Sequence, residues 1–560
     1  MIKENNLNVK KNILKKYWGF DDFKSQQNNI ISSILEEKDT LAILPTGGGK
    51  SICFQVPGIL FNGVTIVISP LLALMEDQVN KLKSKNINAS LLSSSMSFRE
   101  IDVILDNCRF GNTKFLYVSP ERLKSKLFIE RIKDVNVSLI VIDEAHCISQ
   151  WGHDFRTSYQ EIYKFKKNKP KAPTLALTAS ATRIVKEDII KQLDLKNVNC
   201  FEDNLSRKNI DYKVIETENK LTEINNFIQK NRDEFGIIYC QTRKSVELVT
   251  NYLKVNNFNV SSYHGGINNE NRKNILDDWI KNKTQIIVAT NAFGMGIDKS
   301  DVRFVIHYEI PFNIENYYQE TGRAGRDGKN SMAVAYYGKN DLDLMYLKIK
   351  KKYPNKNDIK SIYNSICNYL NISIGSGNQE TYNIDLIQFQ KLFKIPLAKI
   401  YYSLKILDTN KTIDFIENRM NSTRIKINVN NKDLLDFQSS FHKLSKLINT
   451  LTRSFPGIFN QYININESSL SKKLNTNESE LRNQFKLLEQ YNIIDISYKS
   501  NLPKIKFLHE RVKEKYLTIK SNVYEERKKI ETEKLDSMKK YIYTKDCRLK
   551  IINDYFNSTS

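Results

Sequence analysis

Residues 41–51 read LAILPTGGGKS, in which an apolar run is followed by proline and threonine and then by three glycines, a lysine and a serine. The run Leu41–Leu44 predicts a buried strand, and the glycines let the next backbone segment turn so that successive N–H groups face phosphate oxygens. The Lys50 ammonium can then reach the β- and γ-phosphates of a nucleotide, and the Ser51 hydroxyl suits a Mg²⁺ ligand. Because Leu44 replaces the first glycine of the strict phosphate-loop pattern, this segment alone is also compatible with a simple helix cap. We predict a nucleotide-binding loop made of Thr46, Gly47, Gly48, Gly49, Lys50 and Ser51.

A second apolar run, residues 139–142, ends in the adjacent acids Asp143 and Glu144. A carboxylate at the end of a buried strand is costly unless it meets a cation, and Mg²⁺ at a facing phosphate loop supplies one. We therefore predict that Asp143 binds Mg²⁺ together with Ser51, and that Glu144 polarises the attacking water. The alternative, in which the two acids only cap the next helix, is disfavoured beside a phosphate loop.

Residues 319–328 read QETGRAGRDG and place two arginines three residues apart among glycines. Charge that builds up on a transferred phosphoryl group is best met by arginine reaching in from a movable partner. We predict catalytic contacts from Gln319, Arg323 and Arg326. Taken in isolation, the segment would suit a solvent-exposed basic turn better.

Between about residues 40 and 340, short β-branched runs alternate with longer helical stretches. This alternation predicts an α/β fold with two doubly wound parallel-sheet lobes, joined near residues 201–209. The runs predicted as strands are Leu41–Leu44, Val64–Ser69, Phe115–Ser119, Leu139–Ile142, Thr174–Thr178, Gly236–Cys240, Gln285–Thr290, Val302–Tyr308 and Met332–Tyr337.

An internal repeat is predicted in the C-terminal half, because Leu404–Phe415 and Phe485–Ile496 align without a gap at an offset of 81 residues. Each has a helical pattern before it and a strand-like segment after it, which is the outline of a winged helix. Coincidence between two amphipathic helix-to-strand joints is the alternative. The predicted domains are a first lobe (1–200), a second lobe (201–340), a helical linker (341–383), two winged-helix-like units (384–430 and 431–510) and a C-terminal helical segment (511–560).

The chain has 560 residues and a formal net charge of +23, which favours a polyanionic partner but is also compatible with a drift towards lysine. The seven cysteines form no CxxC pair, which excludes a disulfide framework and a zinc site built from local cysteine pairs. The longest nearly apolar run, Val64–Met75, falls short of the roughly 18 residues that a membrane span needs. We expect a cytoplasmic protein that does not interact with membranes.

The series of motifs over residues 15–340 resembles the RecQ family of superfamily 2 DNA helicases, which implies RecA-like lobes. Residues 18–27, WGFDDFKSQQ, are similar to the adenine-recognition segment of the family. The resemblance implies that Gln27 reads the adenine edge and that Phe20 and Lys24 flank the base. The family usually has Arg-Pro-Gly where Lys24-Ser25-Gln26 stands. Further segments that resemble family motifs are residues 69–75 and 119–123, which would grip a strand, 178–182, which would couple hydrolysis to lobe movement, and 238–240, 263–266 and 289–299.

Residues 143–156 read DEAHCISQWGHDFR and interleave aromatic side chains with arginine and histidine. Such a segment forms a stacking surface for unpaired bases, and it resembles the RecQ loop that senses single strands. Core packing is the ordinary role of Trp151 and Phe155, but residues 152–154 make a buried strand or helix there unfavourable. We predict coupling to DNA through His146, Trp151, His153, Phe155 and Arg156.

The C-terminal half departs from the family, which usually has a four-cysteine zinc module directly after the second lobe. That region of this chain offers only Cys367, whereas residues 524–556 resemble the beginning of such a module. Structural Zn²⁺ needs four ligands, and Cys547 is the only candidate there. We expect no bound Zn²⁺ in the 560-residue form, a poorly folded segment over the last thirty residues, and a natural reading frame that continues into further cysteines.

The resemblance implies an ATP-dependent 3′–5′ DNA helicase that uses ATP and Mg²⁺ in DNA repair and recombination. The implied partners are single-stranded and forked or branched DNA, and a single-strand-binding protein is a candidate protein partner. The rival hypothesis is a non-unwinding, ATP-dependent DNA-binding regulator or clamp, in which the same motifs serve conformational switching. An RNA helicase is a third hypothesis.

Overall fold

The computed structural model of the chain describes residues 2–93, 96–149, 151–152, 156–294, 299–417, 423–459, 461–497 and 502–557. The chain divides into two compact units, Met1–Leu347 together with Lys529–Ser560, and Lys348–Lys528. Across the described ranges, every helix is too short or too polar to cross a bilayer.

The first lobe is a parallel sheet flanked by helices. Its strands are β1 (Thr40–Ile43), β2 (Val64–Ile68), β3 (Ala89–Leu92), β4 (Phe115–Val118), β5 (Val137–Ile142), β6 (Thr174–Thr178) and β7 (Asn199–Glu202), in the order β3-β4-β2-β5-β6-β1-β7. Its helices are α1 (Ile2–Trp18), α2 (Gln27–Leu35), α3 (Ile52–Leu60), α4 (Leu72–Lys83), α5 (Phe98–Phe110), α6 (Lys126–Ile132), α7 (Glu161–Lys167) and α8 (Arg183–Gln192). The central strands are buried on both faces, as parallel strands covered by helices must be.

The second lobe repeats this architecture with six parallel strands. They are β8 (Ile210–Glu216), β9 (Phe235–Tyr239), β10 (Val260–Tyr263), β11 (Ile286–Ala289), β12 (Val302–His307) and β13 (Ser331–Tyr337), in the order β10-β11-β9-β12-β13-β8. The helices are α9 (Lys220–Lys230), α10 (Arg243–Val255), α11 (Asn269–Ile280), α12 (Ile314–Thr321) and α13 (Asp341–Lys352). The predicted pair of doubly wound parallel-sheet lobes is confirmed.

The nine runs predicted as strands all form strands, and the four strands of the two lobes that were not predicted lie at sheet edges. These are β3 and β7 in the first lobe, and β10 and β8 in the second. An edge strand pairs with one neighbouring strand and is more exposed to solvent than a central strand. It therefore carries polar residues and lacks the continuous apolar run of a central strand. The strand β8, for example, reads IDYKVIE and is largely exposed.

The C-terminal helices α21 (Glu525–Tyr543) and α22 (Arg548–Asn557) pack against the second lobe from residue 529 onwards. The Tyr541 hydroxyl donates to the Tyr317 hydroxyl at 3.0 Å, and the Phe556 ring lies 5.2 Å from the Tyr318 ring. Leu535 and Met538 are fully buried. The expectation of a poorly folded segment is therefore wrong for residues 529–557, because these helices share the core of the second lobe.

The second unit contains two three-stranded antiparallel sheets. Its strands are β14 (Thr381–Asn383), β15 (Ile413–Ile416), β16 (Thr423–Ile427), β17 (Ile463–Ile465), β18 (Ile494–Ser497) and β19 (Lys504–Phe507). Its helices are α14 (Lys356–Tyr369), α15 (Leu386–Phe393), α16 (Leu397–Thr409), α17 (Asn431–Ser440), α18 (His442–Ser454), α19 (Glu467–Leu474) and α20 (Glu478–Gln490). The helix pair α15–α16 and the strands β15 and β16 correspond to α19–α20, β18 and β19, as the 81-residue repeat predicts.

The two repeats exchange their last strands. Strand β16 pairs with β17 and β18, whereas β19 pairs with β14 and β15. The predicted winged-helix-like units 384–430 and 431–510 therefore have wrong boundaries, since residues 423–497 form one sheet and are inserted between the strands of the other. Both exchanged strands bury alternate residues, so their sequences fit either sheet equally well.

Candidate nucleotide and strand site

The phosphate loop joins β1 to α3 at the carboxyl edge of the first sheet. Gly47 and Gly49 adopt φ angles of +78° and +73°, which residues with a Cβ rarely adopt. The Lys50 ammonium donates to the Leu44 and Pro45 carbonyls at 3.5 Å each, which holds it beneath the loop. The loop therefore has the backbone geometry that a phosphate cradle needs, although its first glycine is absent.

The segment predicted to recognise adenine contacts this loop through Gln27. The Gln27 amide donates to the Gly48 and Gly49 carbonyls at 3.3 and 3.1 Å, and its oxygen accepts from the Lys24 N–H at 2.8 Å. Phe20 and Lys24 are exposed. In this structure Gln27 braces the loop, and adenine reading by Gln27, Phe20 and Lys24 stays a prediction.

One cavity of about 430 Å³ gathers predicted catalytic residues from both lobes. The first lobe contributes the phosphate loop and the acid pair, and the second lobe contributes the glutamine and the two arginines. The residues concerned are Thr46, Gly47, Gly49, Lys50, Ser51, Asp143, Glu144, Gln319, Arg323 and Arg326. The arrangement places cationic groups on both sides of a space that a triphosphate could fill.

The two lobes meet at the phosphate loop itself. The Thr46 hydroxyl donates to the Gly322 carbonyl at 3.2 Å. A Cβ on Gly322 would lie 2.0 Å from the Thr46 hydroxyl, so only glycine permits this approach. The spacing of Gly322 before Arg323 thus has a steric reason that is separate from the chemistry of the arginine.

Asp143 and Ser51 supply oxygen ligands on the wall of the cavity. The Asp143 carboxylate accepts from the Ser69 hydroxyl at 3.3 Å and from the Glu144 N–H at 3.0 Å, and the Ser51 hydroxyl accepts from Gln78 at 3.0 Å. Burial raises the pKa of Asp143, and the Lys50 charge opposes that rise. Burial also lowers the pKa of Lys50 against the opposing charges of Glu144 and Asp143. Hard oxygen donors beside a phosphate cradle fit Mg²⁺.

Glu144 has a left-handed backbone, with φ +50° and ψ +48°. Such a conformation costs a residue with a side chain ~1–3 kcal/mol, and it persists only where the surroundings impose it. The turn directs the chain from β5 into the loop that carries Trp151. The position of Glu144 and the start of the aromatic loop are therefore set by the same turn.

His146 is fully buried and lies between Glu144 and Thr178. Its Nδ1 is 3.0 Å from the Thr178 hydroxyl and 3.4 Å from the Glu144 carboxylate. The Thr178 hydroxyl donates to the Ser180 carbonyl, and Gln319 donates to the Ser180 hydroxyl at 3.1 Å. His146 was predicted to couple to DNA, and its burial means that any such coupling runs through these neighbours and not through contact with a strand.

The described part of the aromatic loop is anchored by the Trp151 backbone and by the Arg156 side chain. Trp151 is half-buried, and its N–H donates to the Ser149 hydroxyl at 3.2 Å. The Arg156 guanidinium donates to the Pro70 carbonyl at 3.1 Å, which ties the loop to the segment 69–75 that resembles a strand-gripping motif. His153 and Phe155, also predicted to couple to DNA, lie outside the described residues.

Arg207 is the main residue that sequence analysis missed. Its guanidinium donates to the carbonyls of Gly322, Ala324 and Gly325 at 3.1, 2.8 and 2.9 Å, and to the Thr46 carbonyl at 3.0 Å. One side chain thus holds the phosphate loop and the arginine-bearing loop together. The available signal was its place in the predicted joint 201–209, but a lone arginine there matches no short motif.

Cys547, the candidate zinc ligand, is exposed. Over the ranges that the structure describes, no three His, Cys, Asp or Glu side chains converge as a metal site. The prediction about Zn²⁺ stays a prediction.

Comparison with known protein families gives three matches along the chain. The DEAD/DEAH box helicase family matches residues 24–188, and the helicase conserved C-terminal domain matches residues 219–328. The RecQ helicase winged-helix domain of Bacteroidota matches residues 425–498, which is close to the inserted sheet at 423–497. Together with these matches, two parallel-sheet lobes with a phosphate loop, an acid pair and arginines around one cavity define a superfamily 2 helicase.

The chain belongs to the RecQ family. The ATP-dependent DNA helicase RecQ of Bacillus subtilis is 44% identical over 355 residues, which cover 62% of this chain and 60% of that protein. The probable ATP-dependent DNA helicase RecS of the same bacterium is 42% identical over 59% of this chain and 67% of its own length. A putative ATP-dependent RNA helicase of Acanthamoeba polyphaga mimivirus is 37% identical over 83% of this chain and 81% of its own length.

Solved structures show the same fold. Dbp5 of S. cerevisiae bound to RNA and ADP BeF3, and the helicase MrfA bound to DNA, each match 61% of this chain with a TM-score of 0.51 and 18% identity, over 91% and 52% of their own chains. The chain spans 51% to 60% of the length of the RecQ helicases of Bacillus subtilis, Haemophilus influenzae and Pasteurella multocida.

Proposed function

We propose that this protein is an ATP-dependent DNA helicase of the RecQ type that moves 3′ to 5′ on single-stranded DNA and unwinds duplexes in repair and recombination. The observation that carries the proposal is the shared cavity, in which Lys50, Asp143 and Glu144 face Gln319, Arg323 and Arg326. A complete set of groups for phosphoryl transfer exists only when both lobes contribute. Hydrolysis and lobe closure are therefore linked.

The residues divide the chemistry between them. Lys50 neutralises the β- and γ-phosphates, Glu144 orients the attacking water, and Arg323 and Arg326 stabilise the charge that develops on the transferred group. Bound Mg²⁺ would supply a Lewis acid to the phosphate oxygens, and Ser51 and Asp143 are the residues that would hold it. Loss of the γ-phosphate removes the charge that draws the arginines in, so the lobes separate and the grip on the strand changes.

Strand binding is assigned to the face that carries Trp151 and the segments 69–75 and 119–123. The net charge of +23 supports a polyanionic partner, and the RecQ winged-helix match at residues 425–498 supports a second contact with the duplex. Single-stranded, forked and branched DNA are the proposed partners.

The test is strand displacement with ATP on duplexes that carry a 3′ tail, a 5′ tail or no tail. We expect displacement of the 3′-tailed duplex only, and none with Lys50→Ala. ATP hydrolysis stimulated by DNA without displacement would favour the non-unwinding regulator. A tailed RNA duplex forms a further arm, because one relative carries the name of an RNA helicase. Preferential displacement of that duplex would overturn the choice of DNA.

Trp151→Ala tests the stacking role of the loop. We expect a loss of ~1–3 kcal/mol in binding to single-stranded DNA, because each base stacked on an aromatic ring contributes that much. Fluorescence anisotropy of a labelled oligonucleotide measures the change. Phe110→Ala, which removes an exposed aromatic ring elsewhere on the first lobe, is the matched control. Equal affinities of the two variants would assign Trp151 to packing.

A further inference from the structure

Lys534 on α21 contacts both lobes with a single ammonium group. Its Nζ donates to the Trp151 carbonyl of the first lobe at 2.9 Å and lies 2.9 Å from the Glu315 carboxylate on α12 of the second lobe. Only 15% of the Lys534 side chain and 4% of the Glu315 side chain are exposed. Removing one partner of an ion pair so shielded from water is costly, because the other charge is then left buried and unpaired.

The helix α12 continues from this contact into the catalytic cavity. Glu315 stands in its first turn, and Gln319 stands one turn further on, with Arg323 just beyond its end. The C-terminal helices contact α12 at two further points. Tyr541 hydrogen-bonds to Tyr317, and Tyr555 hydrogen-bonds to Glu315. Burial and the Glu315 carboxylate raise the pKa of Tyr555. A shift of the first turn of α12 is therefore passed along a packed helix to the groups that face the nucleotide.

The Trp151 carbonyl belongs to the loop that begins at the Glu144 turn. The contact with Lys534 is made by the loop backbone, so it leaves the indole ring available for a base. If bound single-stranded DNA moves this loop, the hydrogen bond between the Trp151 carbonyl and Lys534 is stretched or broken, or Lys534 moves with the loop. Lys534 therefore stands between the loop proposed to sense the strand and the helix that carries catalytic side chains.

We propose that Lys534 is a positioning residue through which strand binding at the Trp151 loop acts on α12 and so on Gln319 and Arg323. The inference rests on the proposed function and deepens it, because it gives the C-terminal helices a part in coupling DNA to ATP hydrolysis. A purely structural lysine would attach α21 to the second lobe and affect all activities alike.

The experiment measures ATP hydrolysis by the full chain without DNA and with increasing concentrations of oligothymidylate. Lys534→Met keeps the aliphatic stem and removes the charge, and Lys534→Arg keeps the charge. Lys540→Met is the matched control, because it makes the same change at an exposed position of the same helix. We expect Lys534→Met to raise the half-activating DNA concentration about tenfold, as the loss of a charged hydrogen bond implies. It should also lower the ratio of DNA-stimulated to basal rate.

Lys534→Arg should recover most of the stimulation, and Lys540→Met should match the wild type. If Lys534→Met does not fold, as judged by its thermal midpoint, Glu315→Gln tests the same link from the other side and should shift the DNA response in the same direction. The double variant should be no worse than Lys534→Met alone, since both changes break one connection.

The two proposals fail in different ways. A wild-type ATPase that no nucleic acid stimulates overturns the proposed function, and this inference with it. If DNA stimulates the wild type and Lys534→Met equally, only the role of Lys534 is overturned. Where Lys534→Met does not fold, equal stimulation of Glu315→Gln has the same meaning. A uniform fall of basal and stimulated rates in the variant also overturns it, because the ratio then stays constant.

Discussion

The central strands of the two lobes and the strands of the inserted sheet bury their side chains differently. Every residue of β2 is buried, whereas β16 alternates buried and solvent-facing residues. Parallel strands are joined through helices, and in the lobes the proposed chemistry lies in short continuous segments. The phosphate loop and the acid pair follow β1 and β5, and the glutamine and the two arginines lie on α12 or just after it. Sequence motifs and the site therefore coincide in the lobes. In the antiparallel sheets, a strand that alternates buried and exposed residues can pair with either of two neighbours. Its pairing is therefore set by contacts outside the strand itself.

The largest effect is expected where motif and site coincide. Lys50→Ala and Glu144→Gln should each lower DNA-stimulated ATP hydrolysis by about a hundredfold or more, as the loss of one group that stabilises the transition state does in other enzymes. Glu144→Gln should keep nucleotide binding, because the side chain retains its shape. A coupled ATPase assay and binding of a fluorescent nucleotide measure the two properties.

Glu130→Gln, at an exposed position of α6, is the control for the acid pair. If Glu144→Gln hydrolyses ATP as fast as Glu130→Gln, the acid pair does not take part in hydrolysis. The sequence motifs of the lobes would then not mark the site.

The next effect concerns the exchanged strands. Deletion of residues 418–501, with a flexible linker that joins residue 417 to residue 502, should leave a folded β14-β19-β15 sheet, because β19 remains. Deletion of residues 431–510 removes β19 and with it the buried side chains of Ile505 and Phe507, each worth ~1.5–3 kcal/mol. Thermal unfolding and limited proteolysis compare the two proteins.

The expected outcome is a folded, protease-resistant second unit in the first deletion and a destabilised one in the second. The opposite order would restore the boundary at 430/431 that the sequence predicted, and the strand exchange would be wrong.

A smaller effect is expected from substitution of Arg207, which no sequence motif of the lobes marks. Arg207→Met removes donors from four carbonyls and should lower DNA-stimulated kcat about tenfold, since a hydrogen bond from a charged group contributes ~1.5–3 kcal/mol. Steady-state kinetics at saturating DNA measures the change. Arg183→Met, which alters an exposed arginine on α8 paired with Glu187, is the control. Equal rates of the two variants would show that Arg207 does not organise the cavity.

The smallest effect compares equivalent positions of the repeat. Asp408 on α16 is half-buried, and burial raises its pKa above the usual value. The folded state then binds the proton more tightly than the unfolded state, so stability falls as pH rises through the ordinary carboxyl pKa and is level once both states are ionised. Asp408→Asn should therefore slightly raise the unfolding midpoint at neutral pH, and this gain should vanish in acid.

Glu489, 81 residues later, is exposed, so Glu489→Gln should change nothing at either pH. Thermal unfolding at both pH values checks the pair. An equal response of the two variants would mean that the equivalent positions share one environment.

By itself the sequence determined the two parallel-sheet lobes and the residues around the shared cavity. The nine central strands are continuous apolar runs, and the phosphate loop, acid pair and arginine loop are short segments whose geometry depends on neighbours along the chain. The sequence also indicated the repeat, because helix-to-strand joints have a local pattern. What was missed in the lobes is systematic, since their four unpredicted strands all lie at sheet edges, where burial is partial.

Only the tertiary structure decided which distant groups meet. Arg207 reaches four carbonyls on two loops, His146 is buried between Glu144 and Thr178, and Lys534 joins residues more than two hundred positions earlier in the chain. The exchange of β16 and β19 belongs to the same class. A side chain or strand with several acceptable partners takes the one that the packing of the whole unit brings near, and no local pattern records that choice.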